Sequence, residues 1–238
     1  MNQPTSLGED ANAPQREAAP PTDPARRALA IGLELAKNAS RARSLEELQF
    51  ILVNDTRSLL PFDRSSLIVH MDGKSSLIAA TNQPQLEKKS DFVQQVNLLA
   101  EPVKQVRRAL VMFQGGNVAD DVPEAAAVAL REFMAYSRCS CAMVVPLAVY
   151  DHVIGHLILE FFENAVPGEI ETYTLVNMVP FLSSALAEKW VLAKKGWVRQ
   201  SFWGAITGTP QGLASLSRHV KIAAAILVVL LIAALCFP

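Results

Sequence analysis

The 238-residue chain lacks the short sequence motifs that commonly mark an enzyme. It has no glycine-rich phosphate loop, no zinc-protease helix and no nucleophile elbow around a serine. It contains only three cysteines, and a zinc site would need further ligands at a suitable spacing, which the sequence does not offer. The sequence therefore predicts a protein that is not an enzyme, with no catalytic residues, no metal site and no cofactor.

Acidic residues are also absent from residue 189 to residue 238. Basic residues are frequent in the same segment, although the whole chain has a formal net charge of −1. These basic residues are Lys189, Lys194, Lys195, Arg199, Arg218 and Lys221. Lysine and arginine beside a transmembrane segment stay on the cytoplasmic side, and they attract anionic lipid headgroups. The charge pattern therefore predicts contact with membrane lipid and places the bulk of the chain in the cytoplasm.

The segment from Ile222 to Phe237 is an unbroken apolar run. Spanning a bilayer takes roughly 20 apolar residues, with a range of about 17–25. The run reaches the lower limit with Val220 and with Lys221, whose amine can extend to the interface. A buried core helix is the alternative, but such a helix normally keeps a polar face. We therefore predict a single transmembrane helix over residues 220–238 in a bacterial inner membrane, with the N-terminal domain cytoplasmic.

All three tryptophans, Trp190, Trp197 and Trp203, lie close together before this run. Tryptophan favours the membrane interface. Basic and aromatic residues in alternation can also bind single-stranded nucleic acid, but beside a transmembrane run the interface interpretation is favoured, and we expect no nucleic-acid partner. Residues 191–219 therefore form a predicted basic and aromatic juxtamembrane connector, with a flexible hinge from Gly204 to Ser217.

Residues 1–23 have a different composition. They are rich in proline, alanine and acidic residues and contain one large aliphatic residue, Leu7. Such a segment cannot bury enough apolar surface to offset its ordering entropy, so it is predicted to be disordered. It also lacks the basic start and apolar core of a secretory signal.

Residues 24–190 read as one α+β domain, an antiparallel sheet flanked by helices. Asp23-Pro24 and the Ser44–Glu47 capping box predict two helix starts, and Leu29, Leu33 and Ala36 share one face of the first helix. Asp72-Gly73 predicts a hairpin turn. The remaining predicted elements are helices over Phe92–Phe113, Pro123–Tyr136 and Gly168–Trp190, and a second strand hairpin over Cys139–Tyr150 and Val153–Phe162, with Pro146 at a bulge or edge position.

Three segments of this domain resemble a GAF domain. Residues 64–69 (Arg-Ser-Ser-Leu-Ile-Val) look like its opening strand, residues 143–147 (Met-Val-Val-Pro-Leu) and 153–160 look like its most recognisable hairpin, and residues 167–170 resemble the start of its last helix. The resemblance covers roughly residues 28–190. It implies a sensory or regulatory module that binds a small ligand, or that dimerises and transmits a signal. Neither the cyclic-nucleotide motif nor the cysteine context of bilin-binding members is present.

Three residues are candidates for a ligand site in this domain. Cys139 and Cys141 lie two apart at a strand start, so their side chains are expected to face the same way. Such a thiol pair could act as a redox sensor or, by resemblance, as the centre of a GAF-fold free methionine sulfoxide reductase. The alternative is two small buried residues in a reducing cytoplasm. His156 alternates with apolar neighbours and is expected to face away from Leu157 and Leu159.

The order of domain, connector and membrane helix is similar to the N-terminal part of HlyD-like membrane-fusion proteins, which are periplasmic adaptors. The resemblance implies components of an efflux or secretion system as partners, and we expect these residues to be the front part of a longer adaptor-like protein. The resemblance to GAF domains also implies a homodimer formed by the first and last helices. Leu186, Trp190, Ala193 and Trp197 share one helical face, and this stripe is the predicted seam as far as Trp190.

Overall fold

The computed structural model describes residues 23–83, 85–116, 122–163 and 165–206, with side chains as far as Lys194. The predicted disordered tail, except Asp23, and the predicted transmembrane helix over 220–238 lie outside these residues, so both stay predictions. Within the described ranges no helix is both long enough and apolar enough to cross a membrane.

The described residues form five α-helices, one short 3-10 helix and five strands. In chain order they are α1 (Pro24–Arg41), α2 (Leu45–Asn54), the 3-10 helix (Asp55–Ser58), β1 (Arg64–Met71), β2 (Lys74–Ala80), α3 (Asp91–Val103), β3 (Leu110–Phe113), α4 (Glu124–Ser137), β4 (Cys141–Val149), β5 (His152–Phe161) and α5 (Glu169–Ile206).

The two predicted helix starts are confirmed. The Asp23 carboxylate accepts a hydrogen bond from the Ala25 amide at 3.0 Å, with proline in the first turn of α1. At α2, the Glu47 amide donates to Ser44 Oγ at 3.1 Å, and the Glu47 carboxylate accepts from the amide of Arg43. Each cap supplies partners to helix-end amides that have none within the helix.

The strands form one antiparallel sheet in the order β2-β1-β5-β4-β3. Asp72 and Gly73 both take positive φ in the β1–β2 turn, 62° and 71°, as a tight hairpin turn requires. Pro146 lies on the inner strand β4, but β3 pairs only as far as Val144, so no neighbouring strand on that side needs an amide from Pro146. The α+β class and the antiparallel sheet predicted from the sequence are confirmed.

Helices cover both faces of the sheet. One hydrophobic cluster lies between the sheet and α1, α2 and α5, and it includes Leu67, Leu157 and Leu182. The other lies between the sheet and α3 and α4, and it includes Ile68 and Ile158. Adjacent strand residues therefore enter different cores, as a sheet buried on both faces requires.

Two predictions about the elements were wrong. The helix predicted over Phe92–Phe113 ends at Val103, and Leu110–Phe113 form the edge strand β3. On α1, Leu29 and Leu33 are exposed, and the buried face consists of Leu35 and the small residues Ala28, Gly32, Ala36 and Ala39. A Cβ at Gly32 would lie 2.8 Å from Thr174 Cγ2 on α5, so the two helices approach too closely for larger side chains between them.

Helix α5 continues beyond the predicted domain boundary at Trp190. It runs 38 residues to Ile206 and includes the start of the predicted connector and of its hinge, Gly204–Ile206. The segment that follows the domain is therefore helical as far as Ile206.

Candidate functional site

A row of buried and half-buried polar side chains crosses the sheet face under α3 and α4. Residues two apart on a strand share a face, so Arg64 and His70 on β1 lie on the same face as His156 and Glu160 on β5. The register places Arg64 opposite Glu160. His156 and Glu160 are both 0% exposed, which is unusual for polar side chains and requires specific partners.

Arg64 and Glu160 form a bidentate ion pair at one end of this row. Arg64 Nε donates to Glu160 Oε1 at 2.7 Å and Nη2 donates to Oε2 at 2.5 Å. The guanidinium also lies over the rings of Phe92 and Phe162, 4.5 Å and 5.6 Å from their centroids. Burial acts against the charge of Arg64, but the hydrogen bonds and charge of Glu160 outweigh it and raise the pKa of the guanidinium.

A chain of hydrogen bonds through two histidines occupies the other end of the row. His156 Nε2 lies 2.8 Å from the carbonyl oxygen of Val106, and His156 Nδ1 lies 2.8 Å from His70 Nε2. His70 Nδ1 lies 2.9 Å from Ser75 Oγ, which donates to the carboxylate of Glu101. This chain joins β1, β2, β5, the last turn of α3 and the loop that follows it.

Burial is the main influence on both imidazoles. It lowers the pKa of His70 to about 4, assisted by Lys104 and opposed by Glu101. It also lowers the pKa of His156 to about 4, opposed by the hydrogen bond to Val106 and assisted by His70. The orientation predicted for His156 is confirmed, because Leu157 and Leu159 belong to the core on the opposite face.

The structure does not form the predicted pair of thiols from Cys139 and Cys141. Cys139 precedes β4 and packs into the core under α3 and α4, whereas Cys141, the first residue of β4, packs into the opposite core. The left-handed backbone at Arg138 (φ 60°) ends α4 just before Cys139, so strand alternation does not yet apply there. Burial raises the pKa of both thiols, that of Cys141 to about 11. Two buried, protonated thiols on different faces fit a packing role and do not support the sulfoxide reductase or redox-sensor alternatives.

The predicted membrane-interface residues are only partly within the described side chains. Trp190 is half-buried and packs against the core under α5, and the Lys194 amine pairs with Asp72 in the β1–β2 turn. Trp197, Trp203, Lys195 and Arg199 belong to α5, but their side chains lie outside the described part, as do Arg218 and Lys221. Contact of these residues with lipid stays a prediction.

The dimer seam predicted on α5 faces the core of its own chain at its start. Leu186 is fully buried against the sheet, and Trp190 packs beside it. A different stripe of apolar side chains is exposed on the outer side of α1 and α5. It consists of Leu29, Leu33, Tyr173, Val176 and Phe181.

A groove of about 680 Å³ lies between α2 and the end of β2. It is at the β2 edge of the sheet, on the face covered by α2, whereas the histidine chain lies on the other face. Its floor is apolar and includes Val53, Ile78 and Leu86, and Phe50 forms one wall with 60% of its surface exposed. Its rim carries polar side chains, namely Glu46, Gln49, Asn54, Arg57, Asn82 and Gln83. The volume lies in the range of small-molecule sites, about 300–1,000 Å³.

Sequence reasoning identified His156 but missed its partners and the Arg64–Glu160 pair. Arg64 lies at the start of β1 and Glu160 lies near the end of β5, both on the side of the strand that is expected to be buried. A basic and an acidic residue in such positions could have indicated an ion pair. His70 occupies the same face as Ile68 and was a comparable indication. The groove had no counterpart in the sequence analysis, because its lining comes from two separate stretches of the chain, residues 46–57 and 78–86.

Comparison with known proteins gives matches among solved structures. The GAF domain of an Acinetobacter phosphoenolpyruvate-protein phosphotransferase has a TM-score of 0.52 and 16% identity, covering 70% of this chain and 97% of that domain. The chromophore-binding domain of an unusual bacteriophytochrome from R. palustris has a TM-score of 0.51 and 11% identity, covering 68% of this chain and 62% of that one.

A third match is the phytochrome photosensory core module of Stigmatella aurantiaca, with a TM-score of 0.49 and 17% identity over 74% of this chain. This chain covers 39% of that module, and so spans less than two thirds of the length of either phytochrome structure. No protein-family model and no curated protein matches the sequence. The match covers nearly the whole of the Acinetobacter domain, and it agrees with the sheet order, with the helices on both faces and with the resemblance seen in the sequence. The described part of this chain therefore has the fold of a GAF domain.

Proposed function

We propose that this protein is a sensory or regulatory GAF-like domain, held at the cytoplasmic face of a bacterial inner membrane by its C-terminal segment. The observation that carries the proposal is the continuity of α5. Leu175, Leu182 and Leu186 fix this helix in the core of the domain, and the same helix continues to Ile206 toward the apolar run over 222–237. A change in the domain can therefore reach Ile206, 16 residues before the apolar run, through one continuous helix.

The proposed input is a small molecule bound in the groove between α2 and β2. The apolar floor and exposed ring of Phe50 suit a planar apolar body, and the amide-rich rim suits neutral hydrogen-bonding groups on that body. Native mass spectrometry of the full chain, released from mild detergent, tests this by searching for a co-purified molecule. We expect Phe50→Ala to lose that molecule and Leu98→Ala, an exposed residue on α3, to keep it. Equal retention in both variants would exclude the groove.

The proposed anchor is tested by extraction of membranes with alkaline carbonate. We expect the full chain to stay with the membrane, and a reporter fused before Met1 to behave as cytoplasmic. Recovery of the full chain in the soluble fraction would disprove the anchor, and a periplasmic reporter would disprove the orientation.

We also propose that the protein is a homodimer, with the exposed stripe on α1 and α5 as its interface in place of the buried Leu186 face. Five large apolar side chains on two adjacent helices are costly to leave in water. Light scattering on the full chain in detergent tests this. Phe181→Glu should yield monomers, whereas Leu98→Glu, which adds the same charge on the opposite side of the sheet, should stay dimeric. A wild-type monomer at high concentration would refute the dimer.

The order of elements supports a further proposal, that the domain regulates a HlyD-like adaptor of an efflux or secretion system. The support is the sequence resemblance in domain, connector and membrane segment. The reading frame after the codon for Pro238 tests it, because an adaptor requires a β-rich extracytoplasmic region encoded there or next to it.

A further inference from the structure

The hydrogen-bond chain from Val106 to Glu101 contains four contacts, and each contact needs one proton. The carbonyl of Val106 can only accept, so His156 Nε2 carries a proton. The contact between His156 Nδ1 and His70 Nε2 needs a second proton, and the contact between His70 Nδ1 and Ser75 Oγ needs a third. The carboxylate of Glu101 accepts the fourth from Ser75.

Glu101 is ionised, because the hydrogen bond from Ser75 and the charge of Lys104 lower the pKa of its exposed carboxyl. With Glu101 ionised, neutral imidazoles and the Ser75 hydroxyl cannot supply all four protons. Two neutral imidazoles carry one N–H each, the hydroxyl of Ser75 carries one proton, and an ionised Glu101 carries none. Ser75 then has one proton for two acceptors, His70 Nδ1 and the Glu101 carboxylate. The contact without a proton brings two lone pairs together, and it must lengthen.

One added proton completes the chain. With three N–H groups shared by His70 and His156, every contact has a donor and an acceptor, and the single positive charge is balanced by Glu101. All four contacts lie at hydrogen-bonding distance, an arrangement that the protonated form can satisfy at every contact.

We propose that His70 and His156 form a proton-binding pair whose charge Glu101 balances through Ser75, and that proton uptake completes the polar link between Ser75 on β2 and Glu101 in the last turn of α3. Deprotonation opens the contact at Ser75, because the hydroxyl can rotate to His70 and the exposed carboxylate of Glu101 can turn into water. Release of Glu101 removes one polar link between the last turn of α3 and β2, whereas Ala100 and Val103 stay packed in the core.

The charged groups around the pair set the pH at which the proton binds. Burial lowers the pKa of both imidazoles to about 4, so the proton enters only in acid. Lys104, at the end of α3, opposes the added charge on His70, and Glu101 favours it. On β4, the residue opposite His156 is Pro146, which carries no titratable group.

A bound metal does not account for this geometry. Two nitrogens that share a tetrahedral zinc ion lie about 3.4 Å apart, given bonds of about 2.0–2.1 Å, whereas the His70 and His156 nitrogens lie 2.8 Å apart. The described residues also contain no cluster of three or more metal-binding side chains.

Nuclear magnetic resonance of the full chain with ¹⁵N-labelled histidine, in detergent micelles, tests the proposal. The chain has four histidines, and a background with His152→Gln and His219→Gln leaves only the pair. We expect the pair to take up one proton in a single step well below pH 6.5, and the amide signals of Glu101 and Val106 to move with the same midpoint.

Two variants on exposed side chains should move that midpoint in opposite directions. Glu101→Gln removes the balancing charge and should lower the midpoint by about half a pH unit or more. Lys104→Gln removes the opposing charge and should raise it. Glu132→Gln, an exposed carboxylate on α4, is the matched control and should leave it unchanged. The proposal is overturned if the two imidazoles titrate independently, if both variants leave the midpoint in place, or if the amide signals do not follow it.

Discussion

The ion pair between Arg64 and Glu160 allows a quantitative test of the fold, because its two partners differ in burial. The carboxylate of Glu160 is fully buried, whereas Arg64 keeps 29% of its side chain exposed. Replacing Arg64 by methionine retains an unbranched side chain beside Phe92 but leaves the Glu160 carboxylate buried without its partner.

The expected cost follows from that unpaired charge. Removing one partner of a buried ion pair costs about 3–5 kcal/mol. Water reaches part of Arg64 and screens the pair, so the loss should lie near the lower limit, at about 3 kcal/mol. This is a large fraction of the roughly 5–15 kcal/mol by which a domain is stable.

Urea-induced unfolding of the full chain in mild detergent, followed by circular dichroism, measures this loss. Arg64→Met together with Glu160→Met removes both charges and should recover most of it, because no buried charge stays unpaired. Lys37→Met, which breaks the exposed pair with Glu34, is the matched control and should cost about 0–1 kcal/mol. If Arg64→Met costs no more than this control, the buried pair does not hold β1 and β5 as argued.

Three further predictions concern pH, thiols and backbone packing. Burial lowers the pKa of His156 from 6.5 to about 4, so the unfolded chain binds protons at a higher pH than the folded chain does. The free energy of unfolding should therefore fall by about 2–3 kcal/mol between pH 6.5 and 4, and a lower urea midpoint would show it. Burial raises the pKa of the Cys139 and Cys141 thiols, so their alkylation at pH 7.5 should be slow in the native protein and fast in urea. Mass spectrometry of the labelled peptides measures both rates, and equally fast labelling of the native protein would contradict their burial. A Cβ at Gly155 would lie 2.5 Å from the carbonyl oxygen of Ile68. Gly155→Ala should therefore destabilise the β1–β5 pairing by about 1–3 kcal/mol in the same urea assay. A neutral effect would show that the two strands can move apart without cost.

Local patterns in the sequence predicted most of the secondary structure, because caps and turns depend on neighbouring residues. Asp23, Ser44 and the Asp72-Gly73 turn all act where the sequence placed them. The strands β4 and β5 were predicted from their length and apolar content. The edge strand β3 was missed because four apolar residues after an amphipathic segment fit one more helical turn equally well.

The choice of buried helix face could not be predicted from apolarity alone. On α1, Leu29 and Leu33 are exposed while Leu35 is buried, and the close approach of α5 at Gly32 leaves no space for a larger side chain at that position. The same applies to the predicted dimer seam, where Leu186 packs into its own domain. Helix periodicity gives the spacing of a stripe, and the tertiary contacts decide what the stripe packs against.

The candidate site was predictable only one residue at a time. His156 was identified from strand alternation, but its partners come from β1, β2 and α3, and their meeting depends on the β1–β5 register. The pairing of Cys139 with Cys141 failed for a related reason, because strand alternation was applied to a residue that precedes the strand.

The continuous helix α5 also sets a phase relation between the domain and whatever follows it. Each residue of an α-helix adds a rotation of about 100° about the helix axis and a rise of about 1.5 Å along it. Inserting one residue between Lys194 and Ile206 would therefore rotate the end of α5 by about 100° relative to the sheet, whereas inserting seven would restore the original angle to within about 20°. If the domain acts on the proposed membrane segment by twisting α5, output should vary periodically with the number of inserted residues. If it acts only by tethering, output should not depend on that number.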